Sequence, residues 1–237
     1  MDTVMRIGLL LPSSNTTMEP ELYRMAPTGV TIHTARMMLR SVTPEGLEAM
    51  ARDAIKAAKM LKTAEVDLLL YGCTSGSLIK GIKWEGELVA DLIDATGIAT
   101  VSTGRAVVEA MKELDLRRVG VATPYIDEIN DLEKEFLEDH GIEVARIGGL
   151  GITENLKIAK VNPERVMDLA GLVSSGADGV FISCTNLPTI GVIEVIEADL
   201  GIPVVTSNQA SMWAALKRLR IGGAEDYGLL MRKNLHL

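Results

Sequence analysis

The chain repeats itself, and the repeat constrains its fold more than any other feature. Arg6-Ile-Gly-Leu-Leu-Leu-Pro12 returns as Arg118-Val-Gly-Val-Ala-Thr-Pro124, 112 residues later, and Gly29-Val-Thr-Ile returns as Gly141-Ile-Glu-Val at the same interval. Asp67 precedes Cys73 by six residues and Asp178 precedes Cys184 by six, at an interval of 111. Gly97-Ile-Ala-Thr-Val-Ser is echoed by Gly201-Ile-Pro-Val-Val-Thr, at a shifted interval that places a deletion between Cys184 and Gly201. Ordered markers at near-constant spacing are the signature of a duplicated structural unit.

Each half alternates strand and helix. Strands are predicted near residues 5–11, 30–37, 66–72 and 98–102, and again near 118–123, 142–147, 178–183 and 202–206. Most are short Val/Ile/Leu runs without two-residue alternation, the pattern of strands buried on both faces. Helices are predicted over 44–63, 104–114, 127–140, 164–174 and 208–219, the first with Thr43 as N-cap and Pro44 in its first position. Alternating β and α implies parallel sheets covered by helices. The expected fold is therefore α/β: two similar lobes, each a four-stranded parallel sheet flanked by helices, related by a pseudo-two-fold axis. Residues 1–104 with 209–237 are assigned to the first lobe and 105–208 to the second. Ligands in such sheets bind outside the carboxyl ends of the strands. Both prolines and both cysteines fall there, so four loops should meet in one cleft between the lobes.

The bulk numbers exclude several functions. No run reaches the roughly 18 apolar residues of a membrane span, and the start of the chain lacks a signal peptide's basic and apolar regions; a cytoplasmic protein is expected. A net charge of −8 without a basic run argues against nucleic-acid binding. His33, His140 and His236 are scattered, away from metal-ligand spacing, so no metal is expected. Gly148-Gly149-Leu150-Gly151 lacks the spacing of a dinucleotide fingerprint. The negative charge also means that any anion site must use local donors such as helix N-termini and backbone N–H groups.

Cys73 and Cys184 are the only cysteines. A cysteine beside an apolar strand is usually a small core residue. Three features reverse that reading. Each sits at a strand end, each is followed by hydroxyl or amide residues (Thr74 and Ser75; Thr185 and Asn186), and each is expected to precede a helix start. Unpaired N–H groups there would lower a thiol pKa from ~8.5 toward neutrality and bind a carboxylate. Two thiols facing one small anion suit either paired acid–base work or nucleophilic addition with proton transfer by the partner.

The neighbouring loops supply donors. Pro12-Ser13-Ser14-Asn15-Thr16-Thr17-Met18-Glu19 begins a helix, and a cap explains one of its polar residues but not five in succession. Tyr125 takes the equivalent place in the second lobe, where its hydroxyl can reach the cleft. Asn155 lies in a stretch without a first-lobe counterpart, suited to a lid, although alone it reads as a turn or cap residue. Trp84 and Trp213 read as packing residues. The segment from Asp226 to Met231 has an apolar tip that can dock or form a subunit contact.

Together these motifs resemble the aspartate/glutamate racemase superfamily. Within it, Pro12 to Glu19, Cys73-Thr74-Ser75, Pro124-Tyr125 and Cys184-Thr185-Asn186 are similar to the maleate cis–trans isomerases, over about residues 5–222. The related arylmalonate decarboxylases typically have no cysteine at the first position. The resemblance implies a cofactor-independent isomerase of a small dicarboxylate. Cys73 would add to an alkene carbon of maleate, the bond would rotate, and elimination would leave fumarate. Cys184 would be the second catalytic thiol. Ser13, Asn15, Thr74, Ser75, Tyr125, Asn155, Thr185 and Asn186 would bind substrate, with no metal or cofactor, in a homodimer or higher homo-oligomer. Three alternatives remain: a two-base racemase or epimerase, a decarboxylase using Cys184 alone, and a non-catalytic carboxylate-binding protein.

Overall fold

Residues 4–222 and 227–233 are described in the computed structural model; Asp226 and His236 lie outside the described residues. The first sheet holds β1 (Met5–Pro12), β2 (Val30–Met37), β3 (Leu68–Tyr71) and β4 (Thr100–Ser102) in the order β2-β1-β3-β4. The second holds β5 (Arg118–Thr123), β6 (Glu143–Gly149), β7 (Gly179–Ile182) and β8 (Val204–Thr206) in the order β6-β5-β7-β8. All pairings are parallel. The eight strands match the sequence expectation in place and order, and the two sheets share one topology. In each, the chain turns outward in both directions from the first strand. The switch points therefore lie between β1 and β3 and between β5 and β7, where Pro12, Cys73, Pro124 and Cys184 emerge.

The repeat markers have physical causes. Asp67 accepts from Arg6 N at 2.7 Å, and Asp178 accepts from Arg118 N at 3.0 Å, so each aspartate fixes the start of its lobe's first strand. Gly97 (φ 75°) ends α5 (Gly81–Thr96) and Gly201 (φ 67°) ends α10 (Ile193–Leu200), both in the left-handed conformation that favours glycine. The strand that follows each glycine ends in a hydroxyl that caps the next helix. Ser102 caps α6 (Thr103–Glu113), and Thr206 caps α11 (Ser207–Leu219), there completing a capping box with Gln209. α11 packs against α6, against α1 (Met18–Met25), and onto β3, β4 and β8. Val101 and Val205 from the two sheets join one buried cluster with Met212 and Trp213 of α11. No helix among the described residues is long and apolar enough to cross a membrane.

The predicted helix over 44–63 is two helices, α2 (Pro44–Ala51) and α3 (Ala54–Lys62). Their buried stripes have different partners. Leu47 and Met50 face α4 (Thr74–Leu78), whereas Ala54, Ala57, Ala58 and Leu61 pack on β1, β2 and α5. A single straight helix cannot aim at both, and the chain re-aims at Arg52 and Asp53. The remaining helices are α7 (Asp127–Asp139), α8 (Asn155–Ile158), α9 (Pro163–Val173) and α12 (Gly228–Arg232). α12 carries the apolar tip, and it docks within the chain. Leu230 and Met231 are buried, Tyr227 donates to Arg24 O, and Gln209 donates to Tyr227 O.

Candidate active site

Both cysteines sit at the seam between the lobes, at strand carboxyl ends, and both are free. Cys73 N-caps α4, and its Sγ accepts from Gly76 N at 3.3 Å with Ser75 Oγ at 3.9 Å. A Cβ at Gly76 would lie 3.0 Å from Cys73 Sγ and 2.9 Å from the Met50 methyl, so a side chain there would push on the sulfur. Cys184 is held differently. Its φ is 97°, a conformation that is strained for any residue but glycine and that clusters at functional sites. Its Sγ accepts from Asn186 N at 3.4 Å and from the Tyr125 hydroxyl.

Hydroxyls stitch the two cysteine loops together. Thr74 Oγ1 donates to Ser207 Oγ (2.8 Å), and Ser207 Oγ accepts from Cys184 N (3.0 Å). Thr185 Oγ1 donates to Gly72 O (3.2 Å) and accepts from Asn15 Nδ2 (3.0 Å). Asn15 also caps α1, its Oδ1 accepting from Thr17 N and Met18 N. Asn186 accepts from Thr16 N and donates to Asn155 O. Asn155 Nδ2 reaches Ser14 Oγ (2.9 Å), and Ser13 Oγ accepts from Leu39 N (3.0 Å).

Above this network a loop from each lobe joins its counterpart. Val42 N donates to Thr153 O, Asn155 N donates to Arg40 O, and Ser41 bridges Glu154. The stretch around Asn155 thus forms a strap across the seam, but the expectation that it has no first-lobe counterpart fails, since it pairs with residues 40–42, which precede it by about the repeat interval.

The electrostatics run against the sequence expectation. Burial pushes the Cys73 thiol up to about 11, partly offset by the Gly76 N–H and Ser75. Burial pushes Cys184 up to about 12, offset by Tyr125 and Asn186 N–H and reinforced by Cys73 and Glu133. Exposures of 4% and 6% explain why the neighbouring donors do not win. Both thiols are therefore raised, although Cys73 stands at the N-cap of a helix.

The model of the arylmalonate decarboxylase family matches residues 7–231. The chain belongs to the arylmalonate decarboxylase family. Its relatives include a maleate isomerase from Pseudomonas putida, 31% identical over 92% of this chain and 93% of that one. They also include an arylmalonate decarboxylase from Bordetella bronchiseptica, 31% identical over 94% and 95%. Among solved structures, a cysteine-to-serine mutant of Nocardia farcinica maleate cis–trans isomerase with a covalently bound succinylcysteine intermediate superposes with a TM-score of 0.92. It is 26% identical and aligned over 97% of this chain and 98% of that one.

In this arylmalonate decarboxylase-family chain the two cysteines differ in a way that the sequence concealed. Both were expected to precede helices, yet only Cys73 does. The stretch from Cys184 to Gly201 is seven residues shorter than that from Cys73 to Gly97, and the lost length removes the counterpart of α4. Residues 185–192 are turns and loop instead, and α10 begins only at Ile193. Sequence reasoning also missed Ser207, Asn208, Glu21 and Glu133. Ser207 directly follows the fourth repeat marker, and the two glutamates are 112 residues apart, so the repeat held signals for three of the four.

Proposed function

We propose that the chain is a cofactor-independent cis–trans isomerase of a small unsaturated dicarboxylate, converting maleate to fumarate, with Cys73 as nucleophile and Cys184 as its acid–base partner. The observation that carries this reading is a thiol from each lobe on one hydroxyl-rich seam, each with its own donors, in a chain aligned along nearly its whole length with the Nocardia farcinica enzyme that holds a succinylcysteine. The Cys73 thiolate forms a C–S bond to one alkene carbon. The π pair moves to the neighbouring carbon and into its carboxylate, leaving a single bond that rotates. Cys184 can deliver its proton to that carbon and take it back. Elimination restores the double bond as fumarate and releases the Cys73 thiolate.

Each residue has a matching task. Gly76 N–H and Ser75 stabilise the Cys73 thiolate, and Tyr125 and Asn186 N–H stabilise that of Cys184. Side chains and backbone N–H groups around Ser13, Asn15, Thr74, Asn155 and Thr185 hold the carboxylates. Neutral donors suit a charge that moves during the reaction, because they stabilise it without a fixed counter-ion. Both thiols start neutral, so Cys73 gives its proton to a carboxylate of the entering substrate or to water before addition.

The deciding assay follows maleate turnover by absorbance. Cys73→Ala should lower kcat by on the order of 10³-fold or more. Full activity in that variant overturns the reading. Release of carbon dioxide from an arylmalonate that survives the loss of Cys73 would instead support a decarboxylase.

A further inference from the structure

The duplication pairs two buried glutamates whose surroundings are opposite. Glu21 on α1 and Glu133 on α7 are 112 residues apart, the interval that separates Arg6 from Arg118, and both are buried. Glu21 accepts from Thr189 N (2.8 Å), Ile190 N (3.0 Å), Thr189 Oγ1 (3.3 Å) and Asn208 Nδ2 (2.7 Å). Both oxygens of Glu21 are thus hydrogen-bonded. Glu133 has one donor, Ser183 Oγ on Oε1 at 2.5 Å, and its Oε2 has no partner.

The sequence explains the difference. The repeat interval that maps Gly97 onto Gly201 maps Gly104 onto Asn208, so the amide that serves Glu21 is absent beside Glu133. The loop that gives Glu21 two backbone N–H groups is replaced in the first lobe by α4, whose Gly76 N–H serves Cys73 Sγ and whose Ser77 N–H bonds Cys73 O. What remains beside Glu133 is a small cavity bordered by Thr74, Gly104, Val107, Phe136 and Phe181.

No cation answers it. Among the described residues Glu133 makes no ion pair. Of the charged groups on the elements around it, Glu85 of α5 pairs with Arg105 of α6, Lys134 with Glu138 on α7, and Arg146 of β6 bonds Leu172 O. His140, the C-cap of α7, bonds Phe136 O through Nδ1, and its Nε2 has no partner. α4 brings no ionisable side chain. The ionisable groups that feel Glu133 are Tyr125 and Cys184, and Cys184 directly follows the residue that Glu133 holds.

We propose that Glu133 is an uncharged carboxylic acid and a positioning residue for Cys184. It anchors Ser183 and, through Ser183, the strained turn that presents the second thiol, and it leaves the chemistry at that thiol unopposed only while its proton is on. An isolated dry carboxylate is too costly to keep, so the group stays protonated. Burial pushes it up to about 8, with the Ser183 hydrogen bond pulling the other way. Ionisation would place a negative charge beside Cys184, Tyr125 and the charge that develops on substrate. It would hold protons on both donors and oppose the intermediate.

The activity arm of the test rests on the two-thiol isomerase reading; the spectroscopic arm does not. Infrared spectra of the whole chain near neutral pH should show the carbonyl band of a protonated carboxyl group that fades as pH rises through about 8 and is absent from Glu133→Gln. Maleate turnover by the native chain should fall over the same window, and Glu133→Gln, which has no proton to lose, should lack that alkaline fall. Ser183→Ala removes the hydrogen bond that favours the anion, so it should move both the band and the fall to higher pH. The proposal is overturned by a band that persists in Glu133→Gln, by identical alkaline limbs in the native and Gln chains, or by limbs that stay in place in Ser183→Ala. A native chain that shows the band yet never turns over maleate supports the neutral acid and counts against the isomerase reading alone.

Discussion

The two lobes share a strand order, an aspartate that pins the first strand and a hydroxyl cap after the fourth, yet they present their cysteines in different ways. In the first lobe the helix begins at the cysteine, so the backbone itself supplies a donor to sulfur, Gly76 N at 3.3 Å. In the second the helix has been deleted. The cysteine stands in a positive-φ turn, where its backbone donor, Asn186 N at 3.4 Å, comes from that turn and a tyrosine from the other switch-point loop adds a second donor. Duplication thus supplies two equivalent positions, and the deletion makes them unequal. Addition needs one thiol that leaves and returns as a thiolate, while the partner needs to keep a proton to lend. The lobe that retains α4 suits the first task. The one whose thiol stands in a turn beside a phenol suits the second.

The largest effect that can break this division of labour is the identity of the sulfur that becomes modified. Cys184→Ser should lose turnover by on the order of 10²-fold or more but should still let Cys73 add. Mass spectrometry of that variant after maleate treatment should find a mass increase equal to maleic acid on the peptide containing Cys73. Cys73→Ser should gain no such mass on Cys184. An adduct on Cys184 in the second variant would reverse the assignment of the two lobes.

A smaller loss is expected when the donor specific to the second lobe is removed. Tyr125→Phe keeps the buried ring and deletes the hydroxyl that bonds Cys184. The Cys184 thiol should become still less acidic. If proton return by Cys184 limits the reaction, kcat should fall about 10- to 100-fold, with KM changed less. A change confined to KM would mean that the hydroxyl holds substrate and does not serve the thiol.

How much of this was legible follows the same contrast. The eight strands were readable in their places along the chain because buried parallel strands are short apolar runs, and because the repeat let one copy check the other. The meeting of Cys73 with Cys184 followed from their shared place at strand ends. The asymmetry was not readable in that way. The loss of a helix after Cys184 shows in the sequence only as a shift of one marker, and a shift does not say which element was deleted. The thiol pKa values were expected to fall because helix ends and hydroxyls are visible in a sequence. They rise because burial, which depends on how the lobes close over each other, outweighs those donors. The break at Arg52 and Asp53 was hidden because α2 and α3 share a strong helical composition and differ only in what they pack against. Ser207 escaped notice because its bonds to Thr74 and Cys184 join residues 133 and 23 positions away.

The smallest effects belong to the features that the lobes share, and they sharpen the comparison from the other side. Ser102 and Thr206 occupy equivalent positions and cap α6 and α11 in the same manner, accepting from Arg105 N at 3.0 Å and Gln209 N at 3.2 Å. Thr206→Ala should cost about 1 kcal/mol, the usual value of an N-cap, read as a lower urea midpoint at unchanged m-value. Ser102→Ala should cost about 1–2 kcal/mol more. Ser102 Oγ also donates to Glu85 Oε1 at 2.6 Å, and Glu85 is 1% exposed, so the truncation leaves a buried carboxylate oxygen without that donor. Arg105, at 2.8 Å from the other oxygen, keeps the loss from growing further. Equal costs in the two variants would mean that Glu85 finds a replacement donor. The capping position would then be a site where the duplicated lobes remain interchangeable, as their cysteine loops are not.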